Sequence, residues 1–264
     1  MGKVGTIIFT DMSRHTIHGD TKINVSNIYF GGPVTMGMGI NSLGNAGTPG
    51  NIYINGGLKL SIGFYARVHG DVYIKGDFEF YDGRVKGDVY VDGDLTLGLG
   101  TTVDKNIYYT GRFIHSILLP RSINNKCIKV DSIPTFEIPK LCIEFKDNEW
   151  YEEKGYNIID GIYSGTIRSS TKMLINEFYG SVNGSSGVVV IVSRGDIKIS
   201  DWRGSIKGVL IAPNGSVNIN KGEFNGVIIS KDMFKQIFGS GTVNMELLSD
   251  LLDIEDVPVV MRFE

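Results

Sequence analysis

Gly70-Asp71-Val72-Tyr73-Ile74-Lys75-Gly76, echoed by Gly87-Asp88-Val89-Tyr90-Val91-Asp92-Gly93, is the stretch on which the fold turns. In an extended strand, side chains alternate between the two faces. Val72 and Ile74 therefore share one face, and Asp71 and Tyr73 share the other. The aliphatic pair suits an interior, and glycine at either end supplies the backbone freedom a sharp corner needs.

The phrase recurs outward from this centre. Upstream stand Gly50-Asn51-Ile52-Tyr53-Ile54 and Ser26-Asn27-Ile28-Tyr29-Phe30, and downstream Lys105-Asn106-Ile107-Tyr108-Tyr109. Successive copies start 24, 20, 17 and 18 residues apart. Strands in register, joined by corners that absorb insertions, are the signature of a solenoid. Each copy is followed by a second apolar alternation, as in Phe78 and Phe80, then Leu95 and Leu97. A second block appears late, with Val189-Val190-Ile191-Val192 before Gly195-Asp196-Ile197, and Val209-Leu210-Ile211-Ala212 before Gly215-Ser216-Val217. The expected fold is all-β, a right-handed parallel β-helix.

The expected organisation is a first block of coils over 1–115, an insertion packed on the solenoid over 116–160, a second block over 161–244, and a helical cap and tail over 245–264. The insertion carries Pro120, Pro134, Pro139, Cys127, Cys142 and the charged stretch Glu144 to Lys154, with a short helix expected near Trp150. The cap is expected because Leu247, Leu248, Leu251 and Leu252 stand at helical spacing. The longest spacing, Gly37–Gly50, reads as a loop thrown out from one corner.

Composition agrees. The chain has 264 residues, with 35 glycines, 7 prolines and a net charge of −3. Lys and Arg are scattered, which excludes a nucleic-acid partner. No apolar run is long enough for a membrane helix, so a membrane enters only through an anchor missing from this chain. The opening Met1-Gly2-Lys3-Val4 leads straight into strand-like sequence. It fits a native start, and we read it as the cut left by a removed leader or anchor.

The chemistry-bearing residues are few. Cys127 and Cys142 are either two buried thiols or one candidate disulfide across a short loop; no zinc spacing accompanies them. His15 and His18 fall on opposite strand faces, against a shared metal, and His69 is expected in solvent at a corner. Asp71, Asp88, Asp77 and Asp94 stack if the coils align, as carboxylates of a calcium site or an acid/base pair would. Asn51 and Asn106 fill the equivalent place, so charge is not required there; a local Asx turn at the corner explains both residue types. Tyr53, Tyr73, Tyr90 and Tyr108 form a candidate ladder that is either structural or a stacking surface for sugar rings. No nucleophile elbow, phosphate loop or dinucleotide fingerprint is present, so no cofactor, metal or catalytic residue is expected.

Gly87–Leu95, Val209–Ile219 and Gly222–Ser230, with the proline-bearing insert between the blocks, resemble the β-helical ectodomains of clostridial-type, minor-pilin-like type IV pilus assembly proteins. More loosely they resemble bactofilins, which polymerise end to end. The first resemblance implies a non-enzymatic protein of the bacterial cell surface, acting in fibre assembly or adhesion, with other pilus subunits and surface glycans as partners. Its contact surfaces are then the Gly37–Gly50 loop and the Ser116–Tyr156 insert. The second implies an intracellular polymerising scaffold, and β-helices in general admit a carbohydrate-active enzyme. The hydrophobic N-terminal helix of pilins is not in this chain, and bactofilins lack the cysteine-bearing insert.

Overall fold

The structure is a computed structural model and describes residues 6–37, 39–63, 65–231, 241–246 and 248–263. It is a parallel β-solenoid in two compact units, 1–138 and 139–264.

In the first unit the coils lay their strands on three parallel ladders, the second and third being joined into one long strand in Phe78–Val85 and Leu95–Val103. The repeat phrase makes the first ladder, running Thr6–Phe9, Asn27–Phe30, Gly50–Ile54, Gly70–Ile74, Val89–Val91, Ile107–Tyr109 and Cys127–Lys129. The register matches the sequence phrase residue for residue: Gly70 opposes Gly50, Val72 opposes Ile52 and Val89, and Tyr73 opposes Tyr53 and Tyr90. Leu58–Leu60, Phe78–Phe80 and Leu95–Leu97 lie side by side on the second ladder. The third pairs Ser42–Leu43, Arg67–Val68 and Arg84–Val85. Burial follows the alternation: Ile52, Ile54, Val72, Ile74, Phe78, Phe80, Val89 and Val91 are sealed inside. Identical positions stack on identical positions, so each coil buries its apolar face only against its neighbours.

Corners are where coils nearly touch. Gly70 sits at φ +112°, and a Cβ there would lie 2.2 Å from the Gly50 carbonyl oxygen. A Cβ at Gly87 would lie 2.0 Å from the oxygen of Gly70. Only glycine permits this approach.

The Gly37–Gly50 stretch is less of an excursion than expected. Ser42–Leu43 is a regular third-ladder strand. The remaining loop is pinned by buried Asn45, whose Oδ1 accepts the N–H groups of Gly47 and Thr48 at 2.8 and 3.0 Å.

The second unit repeats the plan with longer strands, Asn157–Tyr163, Lys172–Asn183, Val188–Ser193, Ile197–Arg203, Lys207–Ala212 and Gly222–Ser230, all in parallel pairs. Val188–Ser193 and Lys207–Ala212 are almost wholly buried. One face looks into the solenoid. On the other, Val190, Val192, Val209 and Ile211 are covered by Tyr151, Tyr156 and Val259. The expected helix near Trp150 is Asn148–Glu153, capped by Asp147 accepting the Trp150 N–H at 2.8 Å.

Two expectations are corrected here. The segment read as one insertion over 116–160 is divided between the units. Its Cys127–Lys129 is a coil strand paired with Ile107–Tyr109, and its Leu141–Phe145 pairs antiparallel with Val259–Phe263. The tail is not a helical cap among its described residues: Leu248–Asp250 and Ile254–Asp256 are single 3-10 turns, and Val259–Phe263 is a strand. Leu247, one of the four leucines read as helical, lies outside the described residues. Leu248, Leu251 and Leu252 pack on the apolar layer instead, and burial rather than helical period accounts for their spacing.

Candidate functional site

The repeat brings two outward-facing rows together on the first unit: tyrosines at mid-strand and Asx residues at the corner before them. Tyr29 extends the expected ladder of Tyr53, Tyr73, Tyr90 and Tyr108 to five rings. Centroids are 4.5, 5.0, 4.7 and 5.2 Å apart, with interplanar angles of 11–21°. Each interior ring thus has both faces covered by its neighbours. A sugar stacks on a ring face, and here only edges and hydroxyls reach solvent. The ladder is therefore a clamp between coils, at about 0.5–1.5 kcal/mol per pair. Phe136 tilts against Tyr53 at 5.2 Å, and the Lys75 ammonium lies 4.6 Å from the Phe136 centroid. No repeat period places Phe136 there.

Burial, first of all, raises the Tyr29, Tyr73 and Tyr90 phenols above the ordinary 10.0; neighbouring phenols add to it in each, and Asp71 and Asp88 in Tyr73 and Tyr90. A phenol held neutral by the fold contributes its full stability below the unfolded value and loses it as pH rises through the folded one. A phenolate absorbance titration is expected to lag that of free tyrosine, and chemical denaturation should show stability falling from about pH 10 upward. Ionisation of Tyr29, Tyr73 and Tyr90 at the unperturbed value would refute this.

The carboxylates are engaged in the same way. Asp71 Oδ1 accepts the backbone N–H of Asp88 at 2.8 Å, and Asp88 Oδ1 accepts that of Asn106 at 3.0 Å. Asn27 does this for Asn51, Asp77 for Asp94, Asp94 for Arg112 and, in the second unit, Asp196 for Ser216. These are not the local Asx turns expected: the bond crosses to the next coil, where a corner N–H otherwise lacks a ladder partner. A single side-chain oxygen suffices, which is why Asn and Asp interchange. Asp88→Asn is expected to leave stability within about 0.5 kcal/mol. Asp88→Leu should lower it by about 1 kcal/mol by orphaning the Asn106 N–H, as read from the denaturation midpoint. Equal losses in both would refute the latch. Lys105 bridges the row, 3.4 Å from Asp71 and 3.5 Å from Asp88.

The other candidates separate. His15 is buried, its ring tilted against the stacked pair Phe9 and Phe30 and its Nε2 2.9 Å from the Asp11 carbonyl oxygen, whereas His18 is exposed. Among the described residues no group of three or more His, Cys, Asp and Glu is placed to hold a metal. Cys127 is in the first unit and Cys142 in the second, and among the described residues neither is in a disulfide. Burial pushes the Cys127 thiol up to about 11, and its Sγ lies 3.5 Å from the Ile123 oxygen. His69 is not the solvated corner residue expected: it is half-buried, and its Nδ1 is sealed with no hydrogen-bond partner among the described residues. Sequence reading also missed the residues around it, Arg67, Arg84 and Lys86: Arg67 and Arg84 share one register position outside the repeat phrase, Lys86 follows two residues on, and they meet only when coils stack.

No family model matches this chain, and neither a curated protein nor a solved structure is significantly similar to it.

Proposed function

We propose that the chain is a non-enzymatic structural protein, the rigid ectodomain of a minor-pilin-like component of a type IV pilus or related surface fibre, with fibre assembly or adhesion as its task. One observation carries the non-enzymatic part: the repeated polar positions that might have formed a catalytic row are spent on joining coils. Asp71, Asp77, Asp88 and Asp94 each hold a backbone N–H of the next coil, and the tyrosine faces are consumed in stacking. What remains is a stiff framework whose loops are free to vary, which is how rigid scaffolds carry recognition. The resemblance of Gly87–Leu95, Val209–Ile219 and Gly222–Ser230 to pilus ectodomains supplies the surface-fibre part.

Antibodies against the chain should label intact cells along or at the tip of fibres, and the gene should encode a hydrophobic helix ahead of Met1. Labelling only after cell rupture, with filaments formed by the isolated chain, would favour the bactofilin-like scaffold. Depolymerase activity lost in Asp71→Asn or Asp88→Asn would favour an enzyme.

A further inference from the structure

On the first unit, two adjoining depressions of about 230 and 200 Å³ share His69 and Lys86 as common lining. Both are open and smaller than the enclosed pockets that hold small molecules. Together they make a shallow groove crossing successive coils. Its floor is the glycine column Gly50, Gly70 and Gly87, bare of side chains because the backbones touch. Ala46 and Pro49, from the loop once read as a contact surface, form one wall.

The groove is rich in positive charge. Arg67 and Arg84 are direct neighbours on the third ladder, in strands about 4.8 Å apart. Like charges so opposed are destabilising. Arg84 is partly offset by a two-pronged contact with Asp104, at 2.9 and 3.0 Å. Lys105 is matched by Asp71 and Asp88. Among the described residues no carboxylate lies within ion-pair distance of Arg67 or Lys86; Arg67 rests on the Tyr65 ring at 5.1 Å. Beside them the His69 imidazole is held neutral, chiefly by burial and then by Lys86 and Arg67. Two uncompensated cations, a sealed imidazole nitrogen and a like-charge pair around one open trough leave the site short of negative charge.

We propose that this groove is a binding site for an acidic polysaccharide, with its carboxylate or sulfate groups between Arg67, Arg84 and Lys86 and its rings over the glycine floor. A polymer fits better than a single anion because the cations come from two adjacent coils, Arg67 one coil rise from Arg84 and Lys86, a spacing of the order between charges on successive uronic acid rings. A flat floor without side chains admits a sugar ring, and an open trough admits a chain running through it. Nucleic acid fits less well: the free cations are few and the protein is net negative, whereas phosphate backbones are bound by broad basic stripes. The proposal goes beyond the scaffold role and does not depend on a pilus.

The test is calorimetric titration of the full chain with oligogalacturonate and with a heparin-derived oligosaccharide. Neutral dextran and single-stranded DNA serve as comparisons. One or both acidic sugars should bind and dextran should not. Lys86→Glu, an exposed side chain whose loss does not threaten the fold, should weaken binding at least tenfold. Arg67→Glu should do the same, with Arg67→Lys largely retaining affinity. Lys221→Glu, an equal charge change on the second unit, should leave affinity unchanged. In the bound state the His69 imidazole should titrate at higher pH than in the free protein, followed by its NMR signals. Failure of both acidic sugars to bind, undiminished binding in Lys86→Glu, an equal loss in Lys221→Glu, or DNA binding as tight as the sugars and lost in the same variants would each overturn the site.

Discussion

Gly70→Val is expected to remove a large part of the stability of the first unit. A valine at φ +112° is held in a region that costs an L-residue about 1–2 kcal/mol. Its Cβ also has nowhere to go, because the obstacle 2.2 Å away is the Gly50 backbone oxygen rather than a side chain that turns aside. Forcing the coils apart adds about 1–3 kcal/mol. The sum, about 2–5 kcal/mol, is a large part of an ordinary domain's stability of about 5–15 kcal/mol. Gly63→Ala separates the two causes. Gly63 also has positive φ, +78°, but nothing stands within 4 Å of its would-be Cβ. It should cost only the conformational part, about 1–2 kcal/mol. Guanidinium titrations followed by near-ultraviolet circular dichroism of the tyrosine ladder read the comparison. Equal midpoints for the two variants would show that coil contact is not the limiting factor.

Tyr151→Ala is the second large effect, and it belongs to the other unit. Tyr151 has 0% exposure, its ring meets Trp150 and Tyr156 edge-on at 5.2 and 5.1 Å, and its hydroxyl donates to the Pro258 carbonyl at 2.5 Å. It joins the helix Asn148–Glu153 to the tail and lays both over Val190, Val192, Val209 and Ile211. Truncation should cost about 3–5 kcal/mol. Tyr151→Phe keeps the packing but leaves the Pro258 oxygen unsatisfied, about 1–3 kcal/mol. Both tryptophans, Trp150 and Trp202, lie in this unit and the tyrosine ladder lies in the other. Tryptophan fluorescence should therefore report the loss while the tyrosine signal keeps its midpoint. A shift of the tyrosine transition by the same amount would mean that the two units unfold as one.

These two residues also mark what the sequence made visible and what it hid. The corner glycines and the alternation of Val72 and Ile74 with Tyr73 state their environment directly: one face in, one face out, one point of contact. The β-solenoid follows from them. The covering layer announces itself only indirectly. Val189-Val190-Ile191-Val192 and Val209-Leu210-Ile211-Ala212 do not alternate, and a strand apolar on both faces is covered on both. The residues that do the covering come from far along the chain, so no local pattern names Tyr151 or Val259. The tail leucines misled for the related reason that short apolar spacing does not tell a helix from a turn packed on an apolar face. Among the candidate site residues, interchange of Asn and Asp reflects that one side-chain oxygen is enough for the bond each makes. It did not reveal that the oxygen reaches into the next coil, since that partner lies 17 or 18 residues away.

The latch has a consequence for how such a protein changes length. Residues 70–86 contain one full turn of the first unit, and its ladder pairs, stacked rings and Asx latches join it to the turn before and the turn after; the Lys105 contact with Asp71 and the Lys75 contact with Phe136 reach further. If they were excised, Gly87-Asp88-Val89-Tyr90-Val91 would come to rest on Gly50-Asn51-Ile52-Tyr53-Ile54, meeting the same oxygen acceptor type, the same ring and the same aliphatic pair as before. The first unit is graduated like a ruler with marks about 4.8 Å apart. Genetic duplication or loss of a single mark resets the length of that stack while leaving the ladder and latch contacts of the remaining coils of the same kind.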